Sequence, residues 1–237
     1  MEHEQHHQTR NERKEMKIDI PETTISEALD RWNVKALVKF VSKKEYAEQL
    51  LQGKPYLQAI EEFRATEQGD GRADPCEGLV SPIMGANMDR AVYCMTRISD
   101  LHFGRFLQSP DGQRVRNEFA QGGAAVLIKD PVEFLKRFQD SEPEGIGFGP
   151  IVYDGCLFET KTALAHWKDA ASIVPYHKNQ TYAYQHEFRI VTGHDCKMKI
   201  EMREIDGEEH PIGLGHEPYN SLDIGRIDDI AELIPFK

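Results

Sequence analysis

The chain has 237 residues and a net charge of −11, with 39% hydrophobic and 29% charged residues, a composition that suits a soluble globular protein able to bury a core without metals or disulfides. Its longest apolar runs, such as AAVLI at 124–128, are far too short to span a bilayer, and the N-terminal MEHEQHHQTRNERKEMK lacks the apolar segment of a signal peptide, so a cytoplasmic protein with no membrane contact is expected. The acidic balance disfavours a broad nucleic-acid surface, since it would repel a phosphate backbone.

Residues 1–17 are polar, hold His3, His6 and His7 and show no apolar period, which predicts a disordered tail ahead of a single domain over 18–237. ALVKFV at 36–41 reads as a strand. Ser42 followed by Glu45 has capping-box spacing, Ala47, Leu50 and Leu51 give a buried helical stripe, and Gly53 suits the left-handed position after the helix. KPYLQAI at 54–60 and RAVYCMTRI at 90–98 read as strands. A helix is expected around 111–120; Arg105, Arg114 and Arg116 are candidates for a local basic site, although alternating charges on a helix are more often a solvated face.

GGAAVLIK at 122–129 predicts a buried strand. In DPVEFLKRF, Asp130 is placed to cap a helix, Pro131 suits its first position, and Phe134, Leu135 and Phe138 form its apolar face. GIGFG at 145–149 resembles a phosphate-cradling loop only in composition, because no helix follows it, so a flexible loop is expected. Further strands are expected at 149–154, 186–193, 197–205 and 220–227, with a helix at 161–173. GHDC at 193–196 reads as a hairpin turn joining two antiparallel strands. This succession predicts an α+β fold: one domain, mostly antiparallel sheet, a few short helices.

Two constellations carry chemistry. EFRATEQGDGRADPCEG at 62–78 is an irregular segment holding Arg64, Arg72, Asp74 and Glu77, a mixture suited to a ligand with phosphates and hydroxyls, although such loops are usually solvated connections. The second is YHKNQTYAYQHEFRIVTG at 176–193, with Lys178, Tyr182, Tyr184, Gln185, Glu187 and Arg189. Period two puts Gln185, Glu187 and Arg189 on one face and His186, Phe188 and Ile190 on the other. A purely structural account pairs Glu187 or Arg189 with Lys199 and Glu201 on the next strand. Cys76, Cys94, Cys156 and Cys196 have no metal-binding spacing and read as reduced thiols, Cys94 as a buried and inert one. No metal site is expected.

Ala73-Asp74-Pro75-Cys76-Glu77, then YCMTRIS, then GGAAVLI, and finally Lys178 with Tyr184-Gln185-His186-Glu187-Phe188-Arg189 follow an order that resembles an uncharacterised bacterial and phage family, a domain of unknown function (DUF). That family has an Asn-Asp-Pro-x-Glu loop and a late Tyr-x-x-Glu-x-Arg strand preceded by Lys. Here Ala73 replaces the Asn, and Gln185 stands where Glu is common. KFVSKKEYAEQLLQGK followed much later by Gln185-x-Glu187 is also similar to the plan of ADP-ribosyltransferases. This second resemblance implies that Glu187 is catalytic, that Gln185 positions an acceptor and that NAD is the substrate. It further implies that Lys39, on the first strand, stands where a nucleotide-contacting basic residue belongs.

The chemistry stands on its own terms. Cleaving nicotinamide from ribose creates an oxocarbenium-like cation that a fixed carboxylate stabilises; Tyr182 or Tyr184 would stack on nicotinamide, and Arg64 or Arg72 would pair with the diphosphate. The resulting expectation is an ADP-ribosyltransferase-like enzyme acting in conflict between bacteria and phage. Two alternatives stay open. One is a Mg²⁺-dependent phosphodiester hydrolase using Asp74, Glu77 and Glu187; the other is a non-enzymatic acidic inhibitor that binds a protein partner.

Overall fold

Strand-forming runs dominate the fold, and two of the helices, those at Pro110–Phe119 and Pro131–Ser141, start at side-chain caps. The computed structural model describes residues 22–60, 62, 89–99, 102–153, 176–205 and 207–236. The expected tail at 1–17, the helix at 161–173, Cys76, Cys156 and nearly all of the 62–78 loop lie outside the described residues. The helices are α1 (Glu22–Arg31), α2 (Lys44–Leu51), α3 (Phe103–Gln108), α4 (Pro110–Phe119) and α5 (Pro131–Ser141). The strands are β1 (Ala36–Val41), β2 (Gln58–Ala59), β3 (Arg90–Ile98), β4 (Ala124–Ile128), β5 (Ile146–Pro150), β6 (Val152–Tyr153), β7 (His177–Lys178), β8 (Glu187–Asp195), β9 (Met198–Ile205), β10 (Glu208–His216) and β11 (Ala231–Pro235).

Seven strands form one sheet in the order β11-β4-β1-β3-β8-β5, with β2 beside β3, and every pairing is antiparallel. The fold is therefore α+β with a mostly antiparallel open sheet. Strand alternation sends side chains to two faces. On one face Leu37, Tyr93, Met95, Phe188 and Ile190 pack with Ile25 and Leu29 of α1, Ala47 and Leu50 of α2, and Phe134, Leu135 and Phe138 of α5. On the other, Ala36, Val38, Phe40 and Ile98 pack with Phe103 of α3 and Val115 of α4. A smaller apolar group on that second face joins Ile60, Val92 and Val191.

The α5 start follows its sequence signature: the Asp130 carboxylate accepts the Glu133 N–H at 3.0 Å and Pro131 takes the first turn. Several expectations are corrected. Lys43, not Ser42, precedes α2 in extended conformation, and no side chain caps that helix, so the capping box does not form. Only Gln58–Ala59 of the 54–60 run is strand, and Ile151 parts the 149–154 run into the end of β5 and the short β6. The GIGFG segment supplies β5 itself rather than a loop. A Cβ at Gly147 would sit 2.9 Å from the Tyr176 hydroxyl, so glycine there makes room for a packed ring and not for a phosphate.

The hairpin expected at GHDC is also absent. β8 runs straight through it to Asp195, and β9 pairs with β10 in a separate two-stranded ribbon. Residues 220–227 are irregular, and the late strand is β11 instead.

Asp130→Ala is expected to lower stability by about 1 kcal/mol, and urea unfolding with an unchanged slope checks it. Gly53→Ala should cost more. Gly53 has φ +84°, and an added Cβ would meet the Gly225 carbonyl oxygen at 2.1 Å.

Candidate functional site

β1 pairs with β3 only from Ala36 to Val38, against Ile98 to Thr96, yet stays beside β4 as far as Val41. β2 meets β3 again at Val92 and Ala91. Between these contacts the sheet splits, and the Lys39 ammonium reaches across to donate to the Cys94 carbonyl at 2.8 Å. That bond occupies a strand carbonyl that the splayed neighbour no longer serves. Lys39 also lies 4.5 Å from the centre of the Tyr93 ring.

A cavity of ≈ 300 Å³ opens at this split. Phe40, Met95, Val115 and Phe119 contribute apolar wall, and Ser42, Tyr46, Gln58 and Thr96 contribute polar groups. Lys39, Cys94, Lys178, Gln185, Glu187 and Arg189 line it as well.

The cavity is built around Glu187. One carboxylate oxygen accepts from Arg189 Nε at 2.6 Å and the other from Lys178 Nζ at 3.2 Å. Its backbone N–H donates to the Tyr153 hydroxyl at 2.8 Å. Glu187, Lys178 and Arg189 are all buried, with Arg189 only 1% exposed. Burial alone would raise the Glu187 carboxyl, but the charges of Arg189 and Lys178, together with hydrogen bonds from Arg189 and the Cys94 thiol, prevail and hold it at about 2. Burial, and then the Glu187 charge, push the Tyr153 hydroxyl well above its ordinary value.

Local structure places these groups. Asn179 accepts the Thr181 N–H and starts a 3-10 segment over Gln180–Gln185; His186 then takes a left-handed conformation at φ 46°, turning the chain into β8. That turn puts buried Gln185 and Glu187 on one cavity. His186 itself meets Asp111 of α4 at 3.0 Å. The pairing expected with Lys199 and Glu201 is not made: the neighbours of β8 are β3 and β5, and Glu187 takes Lys178 and Arg189.

Of the residues singled out from sequence, the fold gathers Lys39, Lys178, Gln185, Glu187 and Arg189 in the cavity lining. Tyr184 lies beside it, with the Arg114 guanidinium 3.6 Å from its ring centre and its hydroxyl donating to Glu118. Arg116 stacks over Phe236, so these arginines are more than a solvated face. Tyr182 packs near Lys178, 5.1 Å from ring centre to ammonium. Arg64, Arg72, Asp74 and Glu77 lie outside the described residues.

Cys94, expected to be buried and inert, is half-buried and lines the cavity. Its signal was the alternation Val92, Cys94, Thr96, which carries it to the same face as Glu187 by the register Cys94↔Arg189 and Thr96↔Glu187. Tyr153 has no comparable signal.

The described residues form a mostly antiparallel α+β fold with a buried, charge-lined cavity. Comparison with protein-family models, curated proteins and solved structures found no match to this chain.

Because the folded Glu187 carboxyl lies below its ordinary 4.5, its stabilisation is fully present above that pH and is lost as pH falls through about 2. Glu187→Gln should flatten this acid limb in unfolding measured across pH. At neutral pH it should lower stability by about 3–5 kcal/mol, since two buried cations lose their counter-charge.

Proposed function

We propose that this cavity binds the nicotinamide-ribose part of NAD and that the protein is an ADP-ribosyltransferase-like enzyme. The observation that carries the reading is the convergence of Lys39, Gln185 and Glu187 on one cavity where β1 leaves β3. Its ≈ 300 Å³ suits part of a dinucleotide, at the lower end of the roughly 300–1,000 Å³ typical of ligand sites.

In this reading the C1′–N bond breaks with its electron pair leaving on nicotinamide. The Glu187 carboxylate accepts a hydrogen bond from the ribose 2′-hydroxyl and stabilises the oxocarbenium-like centre. Its depressed pKa makes it a poor proton acceptor, so its work is electrostatic and orienting rather than that of a general base. Lys178, on the longer of the two contacts, turns toward a substrate phosphate, while Arg189 keeps the carboxylate aimed. Water or an acceptor nucleophile then adds to C1′ and releases its proton to solvent, with Gln185 orienting it. Action in conflict between bacteria and phage rests on the family resemblance alone.

One observation favours the alternative of an acidic, non-catalytic binding protein: two cations already balance Glu187. Those same contacts weigh against Glu187 as a Mg²⁺ ligand, and Asp74 and Glu77 lie outside the described residues.

Calorimetry with NAD⁺ and a nicotinamide-release assay decide the matter. Binding in the micromolar range is expected, with turnover lowered roughly 10²-fold or more in Glu187→Gln. Gln185→Ala should keep release to water and lose transfer to an acceptor. Absence of both binding and release in the folded wild-type protein would sink the transferase reading.

A further inference from the structure

β9 presents a row that the described residues leave uncovered. Met198, Ile200 and Met202 alternate along it and are 60%, 63% and 47% exposed. Three large apolar side chains in line on one exposed strand form a patch of the kind that marks an interaction surface. β10 covers one edge of β9, and among the described residues no other strand pairs with β9. The two edges of the ribbon differ. β10 carries Pro211, which lacks an N–H, and a register shift between Pro211 and Gly213, both of which blunt an edge against strand addition. β9 has neither.

Two charged positions of β9 stand across from glycine in the ribbon. Lys199 stands across from Gly215 and Glu201 across from Gly213, so β10 offers these positions no side chain. The sequence around Ile200 reads Met198-Lys199-Ile200-Glu201-Met202, which is charge-complementary to itself when reversed. An antiparallel copy centred on Ile200 places Lys199 across from Glu201 twice, Met198 across from Met202 twice, and Ile200 across from Ile200. Cross-strand pairs of opposite charge and of apolar side chains are the units that stabilise a sheet.

Registers centred further along β9 do worse. Centring on Glu201 sets Lys199 against Arg203 and Glu201 against itself, and centring on Met202 sets Ile200 against Glu204. The favoured register does place Lys197 across from Arg203, but these are exposed, screened positions at the outer ends.

We infer that β9 is a homodimerisation edge, at which a second copy of this chain adds antiparallel about Ile200 to join the two ribbons into one four-stranded sheet. The arrangement is two-fold symmetric and closed, as expected of a homodimer. A single strand pair buries less than a standard interface, which sets the association in the micromolar range. This inference is independent of the transferase reading.

Sedimentation velocity on the full chain, from about 1 to 100 µM, tests it. The wild-type protein should pass from monomer to dimer over that range. Lys199→Glu and Glu201→Lys, each alone, set like charges face to face and should weaken the dimer by about tenfold or more. An equimolar mixture of the two variants restores complementarity in a mixed dimer, and the double variant restores it in a homodimer. A wild-type protein that stays monomeric throughout would overturn the inference, as would a dimer unmoved by both single reversals. Failure of both the mixture and the double variant to recover would overturn it too.

Discussion

One buried carboxylate held between two buried cations organises the described structure. Removing Glu187, Lys178 and Arg189 from water is expensive, and the expense is met only when each charge finds its partner at hydrogen-bonding distance. That requirement reaches several elements at once. Lys178 comes from β7, Glu187 and Arg189 from β8, Cys94 from β3, and the Tyr153 hydroxyl from β6 takes the Glu187 N–H. The two apolar groups on that face of the sheet lie to either side of the polar row, so packing on both flanks holds it in register.

Elements governed by local rules were readable in advance. β1 and β3 coincide with the apolar runs ALVKFV and RAVYCMTRI, and α5 begins where an Asp-Pro cap says it should. Pairing was not readable, because it depends on segments far apart in the chain. GHDC carries a turn signal, but the antiparallel hairpin pairing is between β9 and β10. Glycines in GIGFG suggested looseness, whereas the space they free is filled by Tyr176.

The site shows the same division. Period two linked Gln185, Glu187 and Arg189, and residue type singled out Lys39 and Lys178. The partner of Glu187 was misjudged because β9 follows β8 in sequence without lying beside it. A left-handed His186 and a 3-10 turn bring Lys178 back instead. Cys94 reads as buried and inert because an apolar strand hides which of its faces looks into a cavity.

The cavity has a further consequence. Among the described residues, Lys39, Lys178 and Arg189 outnumber Glu187 in the cavity lining, while the whole chain carries a net charge of −11. An anion approaching from solution is repelled at long range and attracted only once it is within a few ångströms. Added salt screens the outer field more than the buried one. Moderate ionic strength therefore speeds capture of an anion by this site with little loss of grip, whereas at a surface groove of the same charge salt would slow capture and loosen binding together.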